Sequence, residues 1–591
     1  MATSTYLGNI RGPRGYSVGE ATVGGDGHLL MVLADGSVLD AGDVRGPQGL
    51  PGTGAVPADD AVAGYISTTG SSATKSILLA MFARKYSAPR NVKDFGAVGD
   101  GVTNDTAAFL NALATPGTVY MPNGTYLVSS TLSMLSGSSL IGESRSGTII
   151  KAALSFPVRT NIIQSANNSK VAHANYVERL HLAHFTVDGD AWNRTYEDGD
   201  GSGDGSNIRL TTVKNVLVED VRTINGFVHN LDVAASVYLD DGNVNSQPAG
   251  PSLSVVLRNV ESVDNRLDDG ITTHNSGDII VSACSATRTR APELDSNGIE
   301  IDEGSYRVLV EGCYSQGNTV GFQAKGHLTT TPARDVTFRN CVAEGCEVSF
   351  DAGHQKPSLL PAGQTSDARN IRFDSCTSLN PLAVTPGNQT IAIRVTAYRN
   401  VRINNFVARG GAQNYIFLSD ECDEVTIDGV YAENVWTTPI ADRGWIHAFA
   451  AYGQTANRLI IRDVIVNGAI AGSVVRASGA ATTVTVDGIT AVGSDAAQPL
   501  VYLAGVNVGT QISRISATGF SGWFYSQTVT VGTFSIGMYP GRIGRAIGAG
   551  TPEGVVMAPI GSQYTNTSGG TGTTLYVKRS GIGNTGWFAI A

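Results

Sequence analysis

From about residue 91 to about residue 520, apolar and polar positions alternate in short runs, each closed by a turn rich in Gly, Asn, Asp or Ser. Aligned on the residue that ends each run, eleven copies of one pattern emerge. RLHLAHF ends at Phe185, NVLVEDV at Val221, SVVLRNV at Val260, DIIVSAC at Cys284, RVLVEGC at Cys313 and DVTFRNC at Cys341. NIRFDSC then ends at Cys376, NVRINNF at Phe406, EVTIDGV at Val430, RLIIRDV at Val464 and TVTVDGI at Ile489. Successive ends lie 24 to 39 residues apart. A period of two means strands with one buried face, and a small strand unit repeated at this spacing buries that face only against its neighbours. The pattern therefore predicts a solenoid of stacked coils, each adding ~4.8 Å of height.

Such a stack needs a plug at its first coil. Asp94–Leu113, DFGAVGDGVTNDTAAFLNAL, has the composition for one. Asp94, Phe95 and Ala97 suit a short strand, and Gly99-Asp100-Gly101 suits a tight turn. Asn104-Asp105 offers an N-cap for a helix from Thr106 to Ala114, with Phe109, Leu110 and Leu113 on one face. Laid across the open end, that helix hides apolar surface and an unpaired edge. The aspartates here are read as turn and cap formers.

These residues, followed by GTVYMPNGTYLVSSTL (Gly117 to Leu132) and SSLIGE (Ser138 to Glu143), resemble the opening of the pectate-lyase-like right-handed β-helix superfamily, in the version common in bacteriophage tail spikes. The resemblance implies an all-β, right-handed parallel β-helix with an N-terminal capping helix. Members of that superfamily include polysaccharide lyases, glycoside hydrolases, phage depolymerases and proteins without known activity, so fold alone does not select a reaction.

Composition agrees with one dominant repetitive body. Gly accounts for 71 of 591 residues, and charged residues for 16%, against a usual ~25%. The net charge of −10, without a Lys/Arg cluster, argues against a nucleic-acid partner. The opening MATSTYLGNIRGPRG has no charged segment followed by an apolar run, and no stretch reaches ~20 consecutive apolar residues. The expectation is a protein made in the host cytoplasm without a signal peptide and not inserted in a membrane, destined for a virion tail. Of the six cysteines, Cys284, Cys313, Cys341 and Cys376 share one repeat position. They are expected to stack inside as small apolar residues, not as a disulfide framework or a zinc site.

The ends differ from the middle. Residues 1–55 hold GHLLMVLADGSVLDAGDV (Gly27 to Val44), two strand-like runs around Asp35-Gly36, with short Gly-X-Y pieces at Gly46, Gly49 and Gly52. This region resembles N-terminal pieces of minor tail proteins, implying attachment to other phage tail proteins. Residues 56–90 read as a linker and neck helix, 91–520 as the β-helix, 521–557 as a β-rich connector and 558–591 as a small β-module. The ends suggest a homotrimer.

Candidate chemistry lies in a second recurring strand: DDGITTH (Asp268 to His274), SNGIEID (Ser296 to Asp302), TVGFQAK (Thr319 to Lys325) and CEVSFD (Cys346 to Asp351). With Ile271, Ile299, Phe322 and Val348 inward, two columns face outward: Thr272, Glu300, Gln323, Ser349 and His274, Asp302, Lys325, Asp351. Neighbours in a column would be ~5 Å apart, and Glu300 and Asp302 ~7 Å apart. Such spacings suit glycosidic acid–base pairs: Glu300 with Asp302, or Glu300 with Asp269. Lys325 is read as a charge stabiliser or as an aid to proton removal in a β-elimination, and His274 and His327 as proton shuttles. Asp268, Glu303, Trp192 and Tyr196 are candidate substrate contacts. DGDGSGD (Asp198 to Asp204) spaces oxygens like a calcium loop, but Arg209 stands at the twelfth position where a Glu belongs, so a solvated loop is expected. No metal and no cofactor are expected.

DDGITTH, NGIEIDEG and GFQAKGH resemble middle coils of phage appendage proteins that cleave envelope polymers. The chain has no clear GDD and GHG pair of the polygalacturonase kind and no obvious pectate-lyase calcium set. Two readings stay open: a tail spike that binds and cuts a host cell-surface polysaccharide by hydrolysis or elimination, and a non-catalytic adhesin or structural tail protein on the same scaffold. An outward ladder of alternating sign also serves as a simple neutralised face.

Overall fold

The computed structural model describes residues 18–23, 28–33, 38–43 and 89–590, the last span apart from 169–174, 196–204, 238–244, 247–249, 291–295, 328–329, 355–366, 385, 420–421, 439, 441–442, 450–456, 469–471, 479–481, 493–499, 505–510, 519–524, 529–544, 557, 559 and 582–583. It divides into two units, 1–87 and 88–591. In the first, Val18–Val23, His28–Leu33 and Val38–Asp43 make an antiparallel three-stranded sheet, with Met31 opposite Leu39 and Val32 opposite Val38. The Gly-X-Y pieces and nearly all of 56–90 lie outside the described residues.

The second unit is the β-helix. Among the described residues it has a 14-stranded sheet and a 28-stranded sheet, in which the strand pairs are parallel. A middle coil gives one strand to the first sheet and two to the second; for example, Ile271–His274, then Gly277–Ser282 and Ser285–Thr287. Between those last two strands the chain bends sharply, and the bending residue has left-handed backbone: φ is 50° at Asp220, 52° at Asn259, Ala283 and Asn340, and 55° at Ser375. Asp, Asn and Gly tolerate that conformation, which explains their place just before the residue that ends each repeat. All eleven of those end residues, Phe185 to Ile489, are buried. Register stacks them, since Glu261, Ser285, Tyr314 and Val342 pair in turn one residue later.

One continuous core runs from Val92 to Ile512. The six cysteines are free and buried within the β-helix, Cys284, Cys313, Cys341 and Cys376 as their repeat position required. The column thiols donate to backbone carbonyls, Cys313 to Val281 at 3.5 Å and Cys341 to Val310 at 3.5 Å, so the column is a packed one. Below the middle coils Phe322 and Phe350 stack with 5.1 Å between ring centroids, and Phe350 meets Phe406 edge-on at 5.7 Å. This aromatic floor stiffens the strands whose outer faces carry the charged residues.

The plug is a helix from Thr106 to Leu113. Phe109, Ala112 and Leu113 enter the core, and Phe109 sits edge-on to Tyr126 at 5.4 Å. Asn104 Oδ1 accepts the Thr106 amide at 3.1 Å, whereas Asp105 turns back to accept the Val98 and Gly99 amides at 2.6 and 3.1 Å. Two details depart from expectation. Leu110 is 44% exposed, because the buried face is completed by Ala108 and Ala112. Asp94 and Phe95 lie in a 3-10 turn, Val92–Phe95, capped by Asn91 Oδ1 accepting the Lys93 amide at 3.0 Å. A local side-chain bond thus outcompetes the strand pattern.

At the C-terminal end Arg545–Gly548, Gln563–Asn566, Leu575–Lys578 and Trp587–Ile590 form a four-stranded sheet around Tyr564, Tyr576 and Trp587. Among the described residues no helix is long and apolar enough to cross a membrane.

Candidate functional site

The 14-stranded sheet carries the candidate site because its outward positions hold charge over a rigid interior. Gly270, Gly298 and Gly321 recur two residues before Thr272, Glu300 and Gln323. Each fills a corner where a side chain has no room: a Cβ at Gly298 would meet Ser315 Oγ at 2.2 Å. Register pairs Asp232 with Thr272, Thr272 with Glu300, Glu300 with Gln323, Gln323 with Asp351 and Asp351 with Arg394. The first three members of the expected column are therefore neighbours, but the fourth is Asp351 and not Ser349. Phe350, not Val348, pairs with Phe322, and Ser349 turns inward to Ser378, 2.7 Å between hydroxyl oxygens. Lys325 likewise pairs with Gly353, so Asp351 leaves the His274, Asp302, Lys325 column. The expected alignment was two residues short in that coil.

Lys325 joins the columns. Its ammonium is 2.8 Å from Glu300 Oε1 and 3.2 Å from Asp302 Oδ2. Glu300 also accepts Thr272 Oγ1 at 3.2 Å and Asn297 Nδ2 at 2.7 Å. Asn297 Nδ2 also donates to Gln323 Oε1 at 2.9 Å, and Gln323 Nε2 donates to Asp351 Oδ2 at 2.6 Å. Behind Asp302 stands a buried relay: His274 Nε2 lies 3.5 Å from Asp302, His274 Nδ1 lies 2.9 Å from Asp232, and Arg209 reaches Asp232 at 3.0 Å. Asp269 accepts the Asn297 amide at 3.0 Å and hydrogen-bonds Glu300. His229 Nε2 faces Asp268 at 3.4 Å and Asp269 at 3.8 Å.

These surroundings separate the protonation states. Burial raises the Asp269 carboxyl well above the usual range, helped by Asp268 and Glu300. Asp268, at the mouth with its side chain 46% exposed, is raised to about 7 by desolvation and then by the Glu300 charge. Burial works against the Asp302 carboxylate too, yet Lys325 and His274 outweigh it and hold Asp302 well below the usual range. Lys325 is pushed up: desolvation opposes its charge, and Asp302, Glu300 and Asp269 overcome it. In the same way Asp232 overcomes the burial of His274 and keeps that imidazole protonated. Burial dominates at His229, whose value falls to about 3, so the ring is neutral.

His327 and Glu303 pair at 2.9 Å, with the imidazole more than half exposed and the carboxylate fully buried. The Glu303 hydrogen bond raises His327, and burial raises Glu303. Trp192 lies in a 3-10 turn, Ala191–Asn193, its ring flanked by the guanidiniums of Arg290 at 5.1 Å and Arg266 at 5.8 Å. Tyr196 and Asp198 to Asp204 lie outside the described residues. Among the described residues two sets have the spacing of cation ligands, His229 with Asp268 and Asp269, and His274 with Asp302 and Glu303. His274 is held protonated between two carboxylates and is no ligand in that state, whereas neutral His229 has the chemistry of one.

Arg209, His229, Asp232 and Asn297 were not among the sequence candidates. Asp232 had a findable signal: LDVA (Leu231 to Ala234) is the preceding rung of the same column. Arg209, which broke the calcium-loop spacing, is the residue that pairs with it.

The fold defines a class. Residues 89–360 match the family described as Rhamnogalacturonase A/epimerase, pectate lyase-like, and the fold is the right-handed β-helix of such proteins. The chain's similarity extends to phage appendage proteins. It is 27% identical over 444 residues to the pre-neck appendage protein of Bacillus phage B103, covering 73% of this chain and 50% of that one. To the pre-neck appendage protein of Bacillus phage phi29 it is 26% identical over 443 residues, with the same coverage. The crystal structure of the N-terminal fragment of phi29 gene product 12 superimposes with a TM-score of 0.64, at 22% identity, over 80% of this chain and 77% of that one. The chain thus spans about half the length of the curated relatives it matches.

Proposed function

We propose that this chain is a virion appendage that binds a host cell-surface glycan on its 14-stranded sheet and hydrolyses it at the Asp268, Asp269, Glu300, Asp302 cluster. One observation carries the reading: within one cluster the surroundings raise two carboxyls, Asp268 and Asp269, and lower a third, Asp302. Carboxyls whose surroundings push their values apart are the acid and base partners of glycosidic cleavage. Asp268 is the proton donor that reaches substrate, backed by Asp269, while Asp302 is the carboxylate base or nucleophile. Lys325 keeps its proton and so stabilises charge; that favours hydrolysis over an elimination in which it removes a proton. The phage appendage relatives support association with other tail proteins, and attachment through the N-terminal unit and assembly as a homotrimer are part of the proposal.

A non-catalytic adhesin is the second reading, and one observation favours it: Glu300 and Asp302 are almost wholly buried and already satisfied by Lys325, as in a structural ion network. The two readings separate on purified host envelope glycan, by following polymer size, new reducing ends and unsaturated-sugar absorbance. Shortened polymer with new reducing ends and no unsaturated product supports hydrolysis. Polymer that is bound but intact supports the adhesin. A monomeric mass by light scattering would remove the trimer.

A further inference from the structure

Lys325 answers Glu300 and Asp302, and Arg209 answers Asp232, but the mouth of the cluster has no such counter-ion. Among the described residues no Lys or Arg stands within ion-pair distance of Asp268 or Asp269. Their basic neighbour is His229, whose Nε2 lies 3.4 Å from Asp268 Oδ2 and 3.8 Å from Asp269 Oδ2. The His229 side chain is only 5% exposed, and its ring makes no hydrogen bond among the described residues. Nδ1 is buried without a partner, and Nε2 is turned to the two carboxyls. A buried imidazole kept without hydrogen bonds costs stability unless something binds it.

The fold sets these three groups. His229 precedes the strand Leu231–Ala234, and Asp268 and Asp269 precede the next strand of the sheet, Ile271–His274. Backbone bonds clamp the two turns together: the Asn230 amide donates to the Asp269 carbonyl at 3.3 Å, and the Leu231 amide to the Gly270 carbonyl at 3.0 Å. Their flanks, Phe227, Val228 and Leu267, pack in a satellite apolar cluster. Asp269 Oδ1 is held by the Asn297 amide at 3.0 Å, which leaves Oδ2 on the side of His229. Two atoms each ~2.1 Å from a zinc-like ion at the tetrahedral angle stand ~3.4 Å apart. The edge from His229 to Asp268 already has that length, and the 3.8 Å edge to Asp269 needs only a slight closure. The other set with such spacing is closed to an ion, because His274 is engaged by Asp232 and Asp302, and Lys325 sits on Asp302.

We propose that His229 Nε2, Asp268 Oδ2 and Asp269 Oδ2 form a binding site for one divalent transition-metal ion of the zinc class, and that the ion silences the cluster by occupying the oxygen of the proton donor. The cation site stands on the geometry of the three side chains; the silencing rests on the hydrolase reading above, in which Asp268 gives the proton. An imidazole nitrogen with two carboxylate oxygens selects zinc, nickel or cobalt(II) over calcium and magnesium, which take all-oxygen sets of six or more ligands. Three protein ligands leave room for water where Asp268, 46% exposed, meets solvent. With no acceptor orienting Nδ1, the ion is held reversibly, and a chelator removes it.

Metal binding is measured first, without glycan. The full, untagged chain is treated with chelator, exchanged into plain buffer and titrated by calorimetry with zinc, nickel, calcium and magnesium chlorides. Zinc is expected to bind one site per chain at least 100-fold tighter than calcium or magnesium. His229→Gln and Asp268→Asn are each expected to weaken that site 10-fold or more, and His327→Asn to leave it unchanged, with thermal melting checking that the variants fold. Asp268 reaches solvent, so its variant tests the site even where His229→Gln does not fold. No zinc binding, zinc binding as tight in Asp268→Asn as in the parent, or calcium binding as tight as zinc overturns the site. Cleavage of host envelope polymer is then followed with and without saturating zinc; slowing of tenfold or more, reversed by chelator, is expected. Zinc bound at this site with an unchanged rate would overturn the silencing and remove Asp268 as donor. A chain that binds zinc here and never cuts the polymer would sink the hydrolase reading, and the silencing with it, while the cation site stands.

Discussion

Lys325 and Glu300 are locked together in a nearly closed ion pair, 2.8 Å from Nζ to Oε1, on adjacent strands of one sheet. Asp302 shares the same ammonium, so Lys325 touches two carboxylates that are almost wholly buried, with His274 beside Asp302 as the second cation. Removing it leaves uncompensated charge in a site that water barely reaches. Lys325→Met is expected to destabilise the chain by about 3 kcal/mol, read by denaturant unfolding. The same variant should lose cleavage, and a melting profile equal to that of the parent would show that the pair is not coupled to folding.

The Asp268 carboxyl, raised to about 7, sets the direction of the pH profile. As the proton donor it acts in its protonated form, so the rate should stay level below about 7 and fall above it, roughly tenfold per unit. No matching acid limb is expected near pH 4 to 6, since Asp302 stays ionised there. Asp268→Asn should abolish the reaction at every pH. A rate that climbs through pH 8 would remove Asp268 from the donor role.

Asp269 and Asp302 have opposite linkage to stability. A carboxyl raised by folding binds its proton more tightly in the native state, so Asp269 weakens the fold as pH rises toward its folded value. Asp302 is depressed and stabilises above the unfolded carboxylate range, an effect lost in acid. Asp269→Asn keeps an oxygen for the Asn297 amide and removes the charge, and should raise the melting temperature by about 2 °C at pH 8 with little change at pH 5. Equal shifts at both pH values would contradict this.

Ala283 holds φ at 52° where neighbouring coils use Asn, Asp or Gly. Its strain is relieved without touching any contact of the site, so Ala283→Gly should stabilise the chain by about 1 kcal/mol. Chemical denaturation of the pair of proteins measures it directly. In the same corner column Cys284, Cys313, Cys341 and Cys376 are buried, and no thiol should react with an aromatic disulfide reagent until the chain unfolds.

Which parts of this were legible follows from how each is encoded. The end residues from Phe185 to Ile489 repeat at fixed places relative to their turns, so a two-residue period reveals both the coil and its inward face. The rungs Thr272, Glu300 and Gln323 were readable for the same reason, each preceded by a glycine that the corner requires. Asp351 was misplaced because Val348 and Phe350 are both apolar and two apart, leaving either as the match to Phe322. Asp232 was missed because the 39 residues between Val221 and Val260 form the longest spacing in the array, which hides its rung. Arg209 and His229 act through buried charge, and burial of a polar residue leaves no periodic mark.

The central claim, that this cluster cuts a host glycan, is tested most directly by comparing the parent chain with E300Q/D302N on purified host envelope polymer. Polymer size and reducing ends are followed over time, with both proteins confirmed folded. The account predicts steady shortening by the parent and at least a thousandfold slower shortening by the variant, with binding retained. Polymer that the parent binds and never shortens would contradict it, and equal shortening by both proteins would place the chemistry elsewhere.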